Sequence, residues 1–111
     1  MEENLELYKG NSFTFTLEIE ELNQDLDACF LSCKKNIKEN NYTFQKSLKN
    51  GISKVDSENN KRVYSFKINP EDTKNIEVGC YYYDVEIKID NDVFTILCGK
   101  LIIKDTITKG S

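Results

Sequence analysis

VGCYYYDVEIKI, Val78 to Ile89, and VFTILCGKLIIK, Val93 to Lys104, are separated only by Asp90-Asn91-Asp92. Both runs are rich in Val, Ile, Tyr, Phe and Thr, side chains that suit a pleated, half-buried surface. A short Asp/Asn link between two such runs predicts a β-hairpin. At about 3.3 Å per residue each arm reaches roughly 36–40 Å, long for a globular strand. The rest of the chain has to build its sheet around this hairpin.

The segment just before it supplies a corner. In NPEDTKNIEVG, Asn69 is placed to cap a helical turn, with Pro70 at the first helical position and Glu71-Asp72 in the first turn. The order strand, turn, Gly-x-Tyr, strand resembles the approach to the next-to-last strand of immunoglobulin-like sandwiches, where a corner tyrosine lies two residues before a cysteine. Tyr81 takes the tyrosine position and Tyr83 the cysteine position. Cys80 is one residue out of phase, which aims it at the opposite face and argues against an inter-sheet disulfide.

Working back toward the start, Arg62 to Asn69 alternates, with Tyr64, Phe66 and Ile68 on one side. Ser57 to Lys61 reads as a polar loop, Ile52 to Val55 as a short strand, and Asn50-Gly51 as a turn. Tyr42, Phe44 and Leu48 mark a further alternating run. Ala28 to Lys35 fits two templates. A helix places Leu26, Cys29, Phe30, Cys33 and Ile37 on one face, whereas a strand aligns Cys29, Leu31 and Cys33. The neighbouring elements are strands and a sandwich needs a partner here, so a strand is expected. Ser12 to Glu20 is the cleanest strand, with Phe13, Phe15, Leu17 and Ile19 alternating against Thr14, Thr16, Glu18 and Glu20. Leu5 to Tyr8 is a shorter alternation, and DTITKGS closes the chain as a tail. Seven or eight strands with turns every 8–12 residues, roughly, imply an all-β sandwich.

The 111 residues suffice for one domain, 1–111, and are too few for two. With 39% hydrophobic and 31% charged residues the composition is that of an ordinary globular chain. A net charge of −4 disfavours non-specific nucleic-acid binding, which needs a basic face. The apolar runs are too short to span a membrane as helices. MEENLELYKG has no apolar signal-like core, so a reducing compartment and free thiols are expected.

Few residues are candidates for chemistry. The chain has no histidine, which removes Ser-His-Asp and Cys–His arrangements. Cys29 and Cys33 have a loose zinc-like spacing, but Cys80 and Cys98 are isolated, and four small buried or half-buried thiols are the better reading. Glu18, Glu20, Glu21, Asp25 and Asp27 lack the residue order of a calcium loop and read as a solvated edge. Of Tyr81, Tyr82 and Tyr83, two should lie in or near the core, leaving at most one for a ligand. Gly99 implies a bulge or a close backbone approach. No catalytic, cofactor-binding or metal-binding residue is therefore assigned, and the chain is not expected to be an enzyme.

The motifs in order carry a wider resemblance. LYKGNSFTFTLEI, the Leu-x-x-Cys-x-Leu-x-Cys run from Leu26 to Cys33, YSFKINPEDT, VGCYYYDVEI and DVFTILCGKLIIKDTIT together resemble small immunoglobulin-like structural proteins of phages and prophages of low-G+C Gram-positive bacteria. The N-terminal domain of the upper-baseplate protein family is an example. Asn11 stands where that pattern has Asp, and Ile107 where its closing motif has Val. The resemblance implies an immunoglobulin-like antiparallel sandwich serving as a virion component of baseplate, tail, neck or capsid surface. Such a part is made in the bacterial host cytoplasm and contacts other virion proteins, or copies of itself in a symmetric oligomer. It takes no cofactor, nucleic acid or membrane. Two other classes remain: a carbohydrate-binding or adhesion module, favoured by a row of outward aromatics, and a small acidic inhibitor, favoured by a contiguous carboxylate patch. The first and closing strands, Ser12 to Glu20 and Val93 to Lys104, are the expected sheet edges available for assembly.

Overall fold

A computed structural model describes residues 1–108; Lys109, Gly110 and Ser111, the end of the expected tail, lie outside the described residues. The strands are β1 (Leu5–Tyr8), β2 (Phe13–Glu20), β3 (Ala28–Lys34), β4 (Phe44–Leu48), β5 (Gly51–Glu58), β6 (Lys61–Ile68), β7 (Gly79–Ile89) and β8 (Asp92–Lys104), with one helical turn, α1 (Pro70–Thr73). The fold is all-β. Hydrogen bonding links the strands in the order β1-β8-β7-β3-β4-β5-β6-β2.

The long hairpin is the spine. β7 and β8 pair antiparallel from Gly79↔Ile103 to Ile89↔Asp92, so the turn is the two residues Asp90-Asn91 rather than three. β3 lies on the other side of β7, with Leu31 opposite Val85 and Cys33 opposite Tyr83. The strand reading of residues 28–34 is thus correct, and Cys29, Leu31 and Cys33 are buried together. The helical pattern loses because only a strand can satisfy the free backbone edge of β7 while burying these three side chains.

β4 carries the chain from one half of the sheet to the other. It pairs with β3 antiparallel, but meets β5 in parallel at only two positions, Ser47↔Gly51 and Leu48↔Ile52. Lys49 and Gly51 hold positive φ values of 69° and 97° at this crossing, so Asn50-Gly51 makes a switch between halves and not a hairpin. β5, β6 and β2 follow as antiparallel neighbours. The expected loop at Ser57 to Lys61 shrinks to Asn59-Asn60, because β5 stays paired with β6 out to Glu58. Side chains from both halves fill one core, with Leu31, Phe66, Ile68, Val85 and Leu101 fully excluded from water and Phe15 stacked on Phe66 at 4.9 Å.

Two expectations about edges and pairing need correction. The closing strand is not an edge in its C-terminal part, since β1 runs parallel to it with Leu5↔Leu101 through Tyr8↔Lys104 and Glu2 bridges to Cys98. β1–β8 and β4–β5 also make the sheet mixed rather than wholly antiparallel. β1 and β8 are the first and last strands of the chain, so no tight turn obliges them to run antiparallel, and β4 and β5 touch in parallel only where the chain passes from one to the other through Lys49-Asn50.

The corner before β7 forms as expected and uses one extra bond. Asp72 Oδ2 accepts the Asn69 backbone N–H at 2.7 Å, so the cap is closed by the third helical residue reaching back. Thr73 is buried and its Oγ1 accepts the Gly10 N–H at 2.9 Å, tying the β1–β2 connection to α1. The Tyr81 hydroxyl donates to the Glu77 carbonyl at 2.7 Å, the tyrosine-corner bond.

Candidate binding face

The outward face of β8-β7-β3-β4 forms a groove of about 1000 Å³. Strand alternation puts Cys98 and Lys100 of β8, Tyr82, Asp84 and Glu86 of β7, Phe30, Ser32 and Lys34 of β3, and Gln45 of β4 on this side. In register, Cys98, Asp84, Ser32 and Gln45 form one row across four strands. Lys100, Tyr82 and Lys34 form the next.

One wall is the N-terminal segment. The Glu3 N–H donates to the Cys98 carbonyl at 2.8 Å, the Cys98 N–H to the Met1 carbonyl at 3.0 Å, and the Lys100 N–H to Asn4 Oδ1 at 2.9 Å. Tyr83, whose ring is buried, donates a hydrogen bond from its hydroxyl to the Glu3 carbonyl at 2.7 Å. A Cβ on Gly99 would collide with that same carbonyl, so this glycine marks a close backbone approach. The bulge itself lies elsewhere, at Ile96, between the pairs Val85↔Leu97 and Glu86↔Thr95. The far rim is Ile37 and Tyr42, and Lys34 Nζ sits 5.2 Å from the Tyr42 ring centre.

The floor is polar and partly uncommitted. Gln45 Nε2 donates to Ser32 Oγ at 2.9 Å. Asp84 is half-buried, and among the described residues no donor hydrogen-bonds to its carboxylate. Burial raises its pKa above the ordinary carboxylate value, and the charge of Lys34 works against that rise. Asp84 is therefore a half-buried acceptor, with Tyr82 and Glu86 on either side of it along the outward face of β7 and Ser32 opposite it on β3.

The other residues singled out in the sequence lie apart. Tyr81 and Tyr83 are core residues and Tyr82 alone is outward. Cys29 and Cys33 point inward, where burial pushes both thiols up to about 12, while Cys80 and Cys98 are exposed on the other face. The sheet itself separates the two pairs, and all four are free thiols. Among the described residues no three metal-ligating side chains gather, and no helix is long and apolar enough to cross a membrane.

The acidic stretch is dispersed. Glu18 pairs with Lys61 at 2.8 Å, Asp25 with Lys54 at 2.8 Å and Arg62 at 3.0 Å, and Asp27 accepts the Asp90 N–H at 2.7 Å. The two cations hold the Asp25 carboxyl below its usual range. Sequence reasoning missed the row through Asp84 because its members come from four strands. The one available signal was the period-two placement of Asp84 between Tyr83 and Val85.

No family model matches the chain, and no curated protein matches it. Among solved structures it is similar to a family 123 glycoside hydrolase from Clostridium perfringens, at 12% identity and a TM-score of 0.56, over 95% of this chain and 23% of that one. It is also similar to the Ig1 domain of mouse SynCAM 2, at 16% identity and a TM-score of 0.34, over 93% and 92% of the two chains. A third likeness is to the extracellular domain of the voltage-gated sodium channel beta4 subunit, at 12% identity and a TM-score of 0.39, over 96% and 93%. The chain spans under a quarter of the length of the glycoside hydrolase, and at these identities the likeness concerns the fold alone.

Proposed function

We propose that this chain is a structural module of a phage or prophage virion, an eight-stranded immunoglobulin-like sandwich that works by holding other virion proteins and not by catalysis. The strand order supports the sandwich: β2-β6-β5 on one side and β4-β3-β7-β8-β1 on the other is the arrangement of variable-type immunoglobulin-like domains. The observation that carries the functional reading is that β2, eight residues long, pairs on one side only among the described residues. Open strands of that length are docking surfaces for neighbouring chains. Mass spectrometry of purified virions or induced prophage particles tests the proposal. Many copies per particle support it. Consistent absence, with expression only early after infection or induction, overturns it in favour of an inhibitor, although the interleaving of Asp25 and Glu18 with Lys54, Arg62 and Lys61 weighs against a phosphate-mimicking patch.

A second reading rests on the groove. Tyr82, Tyr42 and Phe30 line it around the uncommitted Asp84, the pairing of aromatic faces and acceptors that suits a glycan. Screening the protein against a glycan array tests this. Binding lost on Tyr82→Ala supports it, and no binding, or binding indifferent to Tyr82, overturns it.

A further inference from the structure

The sheet has several free edges, and all but one are defended. β1 has four residues and β4 five, too short to template a long pairing. β5 meets β4 only at Gly51 and Ile52; its outer part carries Lys54, Asp56 and Glu58 and is broken by a bulge at Val55. The tip of β8 beyond β1 adjoins the bulge at Ile96. β2 differs on every count. It pairs with β6 over eight consecutive positions with no shift of register. It contains no proline and no lysine, its first half, Phe13 to Thr16, has no charge, and its two charges are the carboxylates Glu18 and Glu20. Among the described residues no other backbone segment hydrogen-bonds to it.

Its inward face is also incompletely covered. Phe13, Phe15, Leu17 and Ile19 all pack on the core, yet each remains half-exposed, whereas the corresponding Tyr64, Phe66 and Ile68 of β6 are sealed. A further strand beside β2 would satisfy its free backbone groups and shield this apolar row at once.

We propose that the strand occupying this position is β2 of a second copy, antiparallel about a two-fold axis at Thr16. The residues complement themselves in that register. On the outward face Thr16 meets Thr16, each Glu18 meets Thr14 and each Glu20 meets Ser12, so no two carboxylates oppose. On the inward face Phe15 meets Leu17 and Phe13 meets Ile19, apolar pairs of the kind that stabilise antiparallel ladders. Glu18 is already neutralised by Lys61 at 2.8 Å within its own chain. A two-fold contact of this kind is closed, giving a dimer with a continuous sheet across it and no open-ended fibre.

This deepens the assembly reading and rests on it, and the test separates the two. Sedimentation equilibrium of the full chain over a concentration series measures the dimer. Thr14 faces Lys67 within its own sheet, so Thr14→Glu leaves the monomer intact but sets a carboxylate against Glu18 of the second copy, twice by symmetry. About tenfold weaker dimerisation is expected. Thr16→Lys, which opposes two lysines at the axis, should weaken it similarly, and Thr14→Lys should tighten it. Thermal melts check that each variant folds. A monomer at millimolar concentration, or a dimer indifferent to Thr14→Glu and Thr16→Lys, overturns the pairing. A monomer found at many copies in particles sinks the β2 contact and leaves the virion reading standing. A β2 dimer absent from particles does the reverse.

Discussion

Lys46 Nζ lies 2.9 Å from Asp72 Oδ2, with only 5% of the lysine side chain and 18% of the aspartate exposed. The pair links β4 to the start of α1, and the same carboxylate oxygen also closes the helical cap on Asn69. Lys46 stands opposite Leu31 on the inward side of β4, and its stem passes close against Gly51, where a Cβ would strike it.

Breaking that pair should cost unequally from its two ends. Asp72→Ala strands a buried ammonium and removes the acceptor for Asn69, so a loss of about 3–5 kcal/mol is expected. Lys46→Met leaves Asp72 bonded to Asn69 and should cost clearly less. The double change Lys46→Met with Asp72→Ala should recover part of the loss, because it removes both charges together. A double-mutant cycle by urea denaturation measures the coupling; additive effects would show that the pair does not act as a unit.

Tyr81→Phe removes one hydroxyl and leaves the ring in place. The Glu77 carbonyl then loses its donor, and a destabilisation of about 1–2 kcal/mol is expected with no change in the denaturant slope. Spectra of the native state should stay the same. A cost near zero would mean that water replaces the bond freely.

The two faces of β3 should respond oppositely to charge. Leu31→Asp buries an unpaired carboxylate where the leucine is wholly excluded from water, and should unfold the domain. Ser32→Lys, one residue on, faces the groove beside Asp84 and should be tolerated. Circular dichroism of both variants decides it, and equal damage from the two would contradict the assigned faces.

Thiol chemistry should divide the cysteines by face. Denatured, non-reduced protein should show about four reactive thiols. In the native state Cys80 and Cys98 should react first, with Cys29 and Cys33 slow. Those two buried thiols, and the Tyr83 hydroxyl, stay protonated in the fold up to about 12, held there chiefly by burial. The unfolded chain releases these protons from about pH 9 for thiols and 10 for tyrosine, so between pH 9 and 12 the folded state binds more protons. Stability should therefore be full below pH 9 and fall as pH rises through that window, by on the order of 1 kcal/mol per pH unit for each thiol. Cys29→Ala with Cys33→Ala should flatten the decline in denaturation curves across this range.

Local pattern was enough for much of the architecture. Phe13, Phe15, Leu17 and Ile19 specify both a strand and its inward face, because a period of two has only one consistent burial. Asn69-Pro70 and Gly79-x-Tyr81 mark the corner, since proline and a capping pair restrict the backbone whatever lies around them. The same alternation flags Lys46, in phase with Phe44 and Leu48, but it cannot supply the carboxylate that makes a buried lysine tolerable, which arrives 26 residues later at Asp72. Which strand sits beside which was likewise not local information. Period two fixes a face and leaves the neighbour open, so the covering of β8 by β1 and the switch at Asn50-Gly51 were decided by tertiary packing, whereas the edge position expected of Ser12 to Glu20 is where β2 lies. The groove follows the same logic: Cys98, Asp84, Ser32 and Gln45 become one row only when four strands from distant parts of the chain settle into register.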